Sequence, residues 1–270
     1  MTSTDKIDTE NTILFVGAGV SQNLGLPSWS DLMNEIATQL GYDPQIFKLF
    51  GGYLSLAEFY EIERGSIGPL RSWMDVNWHG KEIEVEGSEV HKAIVRAGFR
   101  KIYTTNFDRW LEKACDHWQV RYRKILTVKD LTAKQNGELE IVKFHGDFED
   151  DATLVLTESS YFERLDFESP IDQMLRADVL RHPVLFVGYS LSDINVRYLF
   201  HKLSKIWSAA GTQTERPPSH IFMTNPNPVE EAIFRRWGIN PIVESSGLPM
   251  EGLRDFLERI TPNNLISSMR

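Results

Sequence analysis

The chain contains 270 residues, and its 41% hydrophobic content is enough for the packed core of one large α/β domain. The formal net charge of −9 excludes the basic surface of a typical nucleic-acid binder, so we expect no direct nucleic-acid binding. The single cysteine, Cys115, excludes an intramolecular disulfide and a cysteine-rich zinc site. No apolar run approaches the roughly 20 residues of a membrane span and no signal sequence is recognisable, so we expect a cytoplasmic protein.

The first predicted unit is a strand, a glycine-rich turn and a helix. Residues 12–17 form a short apolar run closed by glycine, which is typical of a buried strand. A helix is predicted over residues 29–40, with Ser28 or Ser30 as its cap and apolar side chains at helical spacing. Residues 41–88 contain three or four short amphipathic helical patterns and no convincing strand, which indicates a small helical insert.

Regular alternation of strands and helices resumes after the insert. Strands are predicted near residues 100–105, 121–126, 140–144, 153–156, 183–188, 219–224 and 239–243. Helices are predicted at about 89–97, 107–118, 170–181, 192–207, 228–237 and 249–260. This alternation implies a Rossmann-like α/β fold, a parallel sheet with helices on both faces, in one domain that spans residues 1–270.

Four of the predicted strands end in residues suited to nucleotide chemistry. The segments are Gly17-Ala18-Gly19-Val20-Ser21, Thr104-Thr105-Asn106-Phe107-Asp108, Lys143-Phe144-His145-Gly146-Asp147 and Gly188-Tyr189-Ser190. A fifth strand ends in Thr224-Asn225. Because neighbouring parallel strands end at one edge of a sheet, we expect these segments to meet at the edge where open α/β sheets bind nucleotides.

Each candidate residue also has a structural explanation when it is taken alone. The turn at Gly17-Ala18-Gly19 lacks the third glycine of the dinucleotide fingerprint, since Gln22 stands there, and could be a tight turn without a ligand. Asn106 could cap a helix that starts near Phe107. Asp108 could belong to the first turn of the same helix, and His145 could be a structural or solvated loop residue. Ser190 could cap the next helix, and Asn225 could be a turn residue.

The motifs together resemble those of the sirtuin family. The matching segments, in chain order, are Gly17-Ala18-Gly19-Val20-Ser21 for the Gly-Ala-Gly-x-Ser motif, Thr105-Asn106-Phe107-Asp108 for Gln-Asn-x-Asp, Phe144-His145-Gly146 for the catalytic histidine, Gly188-Tyr189-Ser190-Leu191 for Gly-Thr-Ser-Leu, and Thr224-Asn225 for the nucleotide-side asparagine. Threonine replaces glutamine in the second motif. The order and spacing of the five motifs are similar to the family's over about residues 12–240.

The departures from the sirtuin deacylases indicate a particular branch. One cysteine cannot supply the deacylases' four-cysteine zinc module, so no zinc is expected. The segments 26–29, 103–108 and 188–193 resemble instead the bacterial sirtuin-like proteins of phage-defence systems. That branch hydrolyses NAD, and its members usually carry further domains or work with a separate protein. The resemblance therefore implies a partner, for which a HerA-type ATPase is the first choice and a short Argonaute the second.

The resemblance also implies roles for individual residues in the hydrolysis of NAD to nicotinamide and ADP-ribose. Asn106 would orient the water or the ribose hydroxyls, and His145 would act as the general base. Asp108 would hold the carboxamide of nicotinamide. The remaining contacts to the nucleotide are expected from Gly17, Ala18, Gly19, Ser21, Gly188, Ser190 and Asn225.

Two other functions fit the same motifs. A protein deacylase would need an acyl-peptide groove beside the NAD site, and the missing zinc module argues against it. A non-catalytic sensor would hold NAD or ADP-ribose to regulate a partner, and the presence of both Asn106 and His145 argues against that function.

We further expect the chain to form a homo-oligomer, because the insert carries a large apolar load for a small surface module. The residues concerned are Phe47, Leu49, Phe50, Tyr53, Leu56, Trp73 and Trp78. The alternative is that these side chains only pack the insert onto the sheet.

Overall fold

The computed structural model describes residues 7–133, 137–166, 168–211, 215–225, 227–244 and 248–262. Within these ranges the strands are β1 (Ile13–Val16), β2 (Lys101–Thr104), β3 (Tyr122–Ile125), β4 (Leu139–Lys143), β5 (Val184–Val187), β6 (Ser219–Met223) and β7 (Ile239–Val243). They form one seven-stranded sheet in the order β3-β4-β2-β1-β5-β6-β7, and every pairing is parallel. This confirms the predicted Rossmann-like α/β fold.

The strand register brings the predicted segments to one edge of the sheet. Val16, the last residue of β1, pairs with Thr104 of β2 on one side and with Val187 of β5 on the other. Thr104 in turn pairs with Lys143, the last residue of β4. The strand order reverses at β1, so this edge is also the topological switch point, where α/β sheets form their ligand crevice.

Helices cover both faces of the sheet, as predicted. They are α1 (Ala18–Gln22), α2 (Trp29–Leu40), α3 (Pro44–Phe47), α4 (Tyr53–Arg64), α5 (Gly68–Trp78), α6 (Glu89–Arg96), α7 (Trp110–His117), α8 (Val128–Leu131), α9 (Glu158–Glu163), α10 (Pro170–Arg181), α11 (Ile194–Ala209), α12 (Pro228–Arg236) and α13 (Pro249–Ile260). Leu14 and Val16 of β1 belong to one buried cluster, whereas Ile13 and Phe15 belong to another. None of these helices combines the length and the apolar character needed to cross a membrane.

Two predicted elements are wrong in detail. Residues 153–156 do not form a strand: a 3₁₀ helix covers Asp151–Thr153, and the following segment lies against the loop after β4, with the Val155 amide donating to the carbonyl of His145 at 2.9 Å. The helix predicted from residue 107 begins only at Trp110, because the loop after β2 continues and Asp108 accepts the Trp110 amide at 3.1 Å. The short helices α8 and α9 were not predicted from the sequence, and neither was α1, which begins at Ala18 within the predicted glycine-rich turn.

The range 41–88 contains α3, α4 and α5, and no strand is found among its residues in the structure. Phe47, Leu56 and Trp78 are buried in the same cluster as Leu14, so part of this apolar load packs onto the sheet. Other apolar side chains stay exposed: Leu49 by 83% and Phe50 by 64%. The packing explanation therefore holds for Phe47, Leu56 and Trp78, and the homo-oligomer stays a prediction that concerns exposed residues such as Leu49 and Phe50.

The start of α2 follows from local sequence. Ser28 accepts a hydrogen bond from the Asp31 amide, and the Asp31 carboxylate accepts one from the Ser28 amide at 2.8 Å, which is a capping box. This confirms Ser28, and not Ser30, as the cap. The helix ends at Gly41 in the left-handed conformation, with φ of 80°.

We predict that Gly146→Ala costs more stability than Gly25→Ala. Both glycines have positive φ, at 93° and 81°, so alanine at either position costs roughly 1 kcal/mol of backbone strain. A Cβ at residue 146 would also lie 2.2 Å from the Thr153 carbonyl oxygen, whereas a Cβ at residue 25 meets nothing within 4 Å. Urea denaturation should show at least about 1 kcal/mol of additional loss for Gly146→Ala. Equal losses for the two variants would contradict the close approach of Gly146 to the Thr153 backbone.

Candidate active site

A cavity of about 1000 Å³ opens at the carboxyl edge of the sheet, around the switch point at β1. All but one of the candidate residues line it: Ala18, Gly19, Ser21, Asn106, Asp108, His145, Gly188, Ser190 and Asn225. The exception is Gly17, which is buried behind the wall. The structure therefore brings together side chains that are up to about two hundred positions apart in the chain.

The two glycine segments beside the cavity are in direct backbone contact with each other. The amide of Gly17 donates to the Val187 carbonyl at 3.0 Å, and the amide of Gly19 donates to the Gly188 carbonyl at 2.9 Å. A Cβ at residue 17 would lie 2.4 Å from the Gly188 oxygen, and one at residue 188 would lie 2.7 Å from the Val20 nitrogen. Glycine is thus required here by packing, independently of any ligand.

Asn106 is a buried wall residue and does not cap a helix. Helix α7 begins at Trp110, so the helix-cap explanation of Asn106 is wrong. Its side-chain amide donates to Ser21 Oγ at 3.1 Å, and its backbone amide donates to Thr104 Oγ1 at 3.0 Å. Only 7% of the residue is exposed. These bonds hold the carboxamide between the end of β2 and α1, at the cavity surface.

Asp108 has a local structural role and also reaches the cavity. Its Oδ1 accepts the Trp110 amide at 3.1 Å, in keeping with the helix-start explanation. Its carbonyl accepts a hydrogen bond from the Lys143 ammonium group. That ammonium is itself buried and lies 3.3 Å from Glu112 and 3.5 Å from Asp147. The hydrogen bond from Lys143 therefore ties the loop that carries Asn106 and Asp108 to the end of β4.

His145 is a buried residue that lines the cavity, so it is not a solvated loop residue. Only 1% of it is exposed, and its Nδ1 lies 3.3 Å from the hydroxyl of Tyr161. Its Nε2 lies 3.3 Å from Oδ2 of Asp193. Burial lowers the pKa of the imidazole to about 4; the carboxylate of Asp193 opposes this shift and the nearby guanidinium of Arg164 adds to it. The ring is therefore neutral at pH 7 and able to accept a proton.

The segment after β4 holds this histidine in place. Arg164 donates to the carbonyl of Phe144 and stacks over the Phe144 ring at 4.1 Å. The same guanidinium pairs with Asp172 of α10. Helix α9, which carries Tyr161, is joined to α4 because the amide of Ser159 donates to Glu58 at 2.9 Å. Helix α4 thereby supports the segment that packs beside His145.

Ser190 and Asn225 lie at the exposed rim of the cavity. Ser190 Oγ is 2.8 Å from Ser192 Oγ, so its side chain also has a local hydrogen-bond partner within the loop. Asn225 is exposed at the end of β6, where its side chain lines the cavity.

Sequence reasoning missed several residues of the site. Tyr161 lies on a helix that was not predicted, and Asp193 was included only as the last residue of the segment 188–193, without a role in the site. Trp29, Tyr53, Trp78 and Phe107 form an aromatic wall with ring centroids 6.3–6.4 Å apart. Aromatic residues in a sequence are usually taken as core positions. No local pattern therefore marked these four as residues that line a cavity.

The fold and the cavity define an α/β domain with a nucleotide-type crevice at its switch point. The model of the SIR2-like domain family matches residues 100–242, more than half of the chain, and the chain belongs to this family. This confirms the sirtuin-like resemblance of the motifs.

Named relatives are similar to the chain over part of their length. It is 32% identical over 208 residues to the NAD(+) hydrolase ThsA of Bacillus cereus (strain MSX-D12), an alignment that covers 76% of this chain and 42% of that protein. It is 29% identical over 198 residues to the NAD(+) hydrolase ThsA of Enterococcus faecium, covering 71% of this chain and 40% of that protein. Identity to the Defense-associated sirtuin 2 of Bacillus subtilis is 23% over 259 residues, which is 92% of this chain and 24% of that protein. The chain thus spans less than half the length of these relatives.

A solved structure supports the fold assignment. The crystal structure of a Sir2 homologue–NAD complex superimposes with a TM-score of 0.51 and 12% sequence identity, covering 92% of this chain and 88% of that one. At this identity the likeness establishes the shared fold.

Proposed function

We propose that this chain hydrolyses NAD to nicotinamide and ADP-ribose, as the effector of a phage-defence system. The observation that carries the proposal is that one cavity at the switch point is lined both by a buried neutral imidazole, His145, and by a carboxamide held by a hydrogen bond, Asn106. Similarity to proteins named NAD(+) hydrolase and defence-associated sirtuin supports the substrate and the biological setting.

The proposed reaction breaks the bond between ribose C1′ and the nicotinamide nitrogen. The electron pair of that bond neutralises the positively charged ring, so nicotinamide leaves without a strong general acid. Positive charge develops at C1′ as in glycoside cleavage. A water adds to C1′, and its proton passes to neutral His145, while Asn106 orients the water or the ribose hydroxyls. Asp108, on the same wall as Asn106, would hold the carboxamide of the leaving group.

The remaining candidate residues would bind the rest of the dinucleotide. Ala18, Gly19 and Ser21 would line the diphosphate, and Gly188, Ser190 and Asn225 would face the adenosine half. Gly17 would act through the backbone, because its lack of a side chain allows the turn to approach Gly188. The extended cavity, about 1000 Å³ in volume, is large enough for a ligand of this class.

We predict that the wild-type chain, alone or with its partner, releases nicotinamide and ADP-ribose from NAD, and that His145→Ala lowers the rate at least about a hundredfold. The physical reason is the loss of the base that takes the proton from water. Chromatography of the products measures the rate, and the melting temperature checks the fold. Near-normal turnover in a folded variant would contradict the base assignment. Deacylation of an acetylated peptide without free ADP-ribose would indicate a deacylase, and NAD binding without turnover would indicate a sensor.

We predict that Asn106→Ala loses turnover but keeps measurable affinity for NAD. The carboxamide is proposed to act at the reacting centre, so its loss should raise the barrier more than it weakens binding. Calorimetric titration with NAD, beside the rate assay, separates the two effects. A loss of affinity equal to the loss of rate would assign Asn106 to ground-state binding.

We also propose that the chain self-associates and reaches full activity only with a partner, a HerA-type ATPase first and a short Argonaute second. Leu49 and Phe50, exposed by 83% and 64%, support a contact surface on the helical insert, residues 41–88. Light scattering over a concentration series should show an oligomer, and its dissociation should need less dilution in a Leu49→Ser/Phe50→Ser variant. The control is Val229→Ser, which changes a side chain exposed by 68% on α12 and should leave the oligomer unchanged. A monomer that is fully active alone would contradict this proposal.

A further inference from the structure

Both ring nitrogens of His145 have a neighbour from a different element of the fold. Tyr161 of α9 lies 3.3 Å from Nδ1, and Asp193, at the start of α11, lies 3.3 Å from Nε2. All three residues line the cavity. The Nε2 contact is an ion-pair approach and not an aligned hydrogen bond, so Nε2 keeps its capacity to accept a proton.

The carboxylate of Asp193 divides its two oxygens between two tasks. Oδ1 accepts the Val196 amide at 2.9 Å and caps α11. Oδ2 is the atom that faces His145 Nε2. A helix cap needs only the first oxygen, so the position of the second oxygen is not explained by capping.

We propose that Asp193 is a positioning residue for the reaction proposed above, and that its Oδ2 stabilises the proton that His145 Nε2 takes from the attacking water. This inference rests on the proposed function. This role requires that the neutral ring carry its own proton on Nδ1 and donate it to the hydroxyl oxygen of Tyr161, which lies 3.3 Å away. When C1′–O forms, the water proton moves to Nε2, the imidazolium is neutralised by Asp193, and the proton later leaves to solvent.

The surroundings of His145 make a carboxylate at this place important. Burial penalises the imidazolium, and the guanidinium of Arg164 from the end of α9 repels it. Asp172 of α10 attracts the imidazolium but is hydrogen-bonded to Arg164 at 3.1 Å, so these two charges largely offset each other at His145. Asp193 is therefore the carboxylate that can oppose the burial penalty.

The two tyrosines near this carboxylate stay neutral. Burial raises the pKa of Tyr161 well above its usual value, and the charge of Asp193 raises it further. Burial and the charge of Asp193 also raise the pKa of Tyr189, which lies in the loop after β5, well above its usual value. Neither hydroxyl can take the role of a second negative charge beside the imidazolium.

The test is Asp193→Asn in the full chain, since asparagine caps a helix as well as aspartate but places no charge beside Nε2. We expect kcat at pH 7 to fall at least about tenfold, with the KM for NAD within about threefold and the melting temperature nearly unchanged. The matched control is Asp43→Asn, which makes the same change at the cap of α3, where Asp43 accepts the Gln45 and Ile46 amides. Its kcat should stay within about twofold of wild type.

The pH profile of kcat/KM provides a second readout. The base works as the neutral imidazole, so the wild-type rate should hold its plateau as the pH falls to about 5 and decline near the pKa of about 4. Loss of the carboxylate lowers that pKa further, so the decline in Asp193→Asn should move to lower pH. A helix cap alone would not move the profile.

Distinct outcomes separate the possible failures. A folded Asp193→Asn variant with wild-type kcat and profile would show that Asp193 only caps α11 and would overturn the inference, while the proposed function would stand. If Asp193→Asn unfolds, Asp193→Ser, another uncharged cap, replaces it with the same expected loss of kcat. A wild-type chain that releases no nicotinamide, alone or with its partner, would overturn the proposed function itself and this role with it.

Discussion

The structure depends on one close backbone contact, between the loop after β1 and the loop after β5. The Gly19 amide donates to the Gly188 carbonyl at 2.9 Å, and a Cβ at Gly17 or Gly188 would collide with backbone atoms. This contact sets the direction of both loops. One continues into α1, whose Ser21 accepts the Asn106 amide, and the other continues to Asp193, which faces His145. Both proposed catalytic side chains thus receive a partner from loops that meet at this point.

Lys143 at the end of β4 and His145 in the loop after it are both buried, and burial lowers the pKa of each, but the charges around them lead to opposite net shifts. Burial alone would lower the pKa of Lys143, but Glu112 and the other nearby carboxylates outweigh it and raise the pKa, so the ammonium stays charged. It forms a buried anchor beneath the loop of Asn106. His145 has a smaller excess of negative charge around it, burial dominates, and its pKa falls to about 4. The same depth therefore produces a structural cation and, two residues later, a neutral group suited to accept a proton.

Much of the fold and part of the site could be predicted from the sequence. Buried strands such as Ile13–Val16 are short apolar runs closed by glycine, and the capping box at Ser28 is a purely local pattern. Parallel strands with aligned ends then place Asn106 and His145 at one edge. The apolar run at 153–156 misled the prediction, since local periodicity cannot distinguish a strand from a segment that packs over another loop.

The sequence by itself determined the element order, the parallel sheet and the motif residues, because these depend on local periodicity, on glycine conformations and on short spacings. Tertiary structure alone decided which side chains stand beside the motif residues. Tyr161 and Asp193 reach the two nitrogens of His145 from elements 16 and 48 positions farther along the chain, and Tyr53 and Trp78 complete the aromatic wall from the helical insert. Contacts of this kind arise from packing in three dimensions, and so do the desolvation and charge balance that give the imidazole its low pKa.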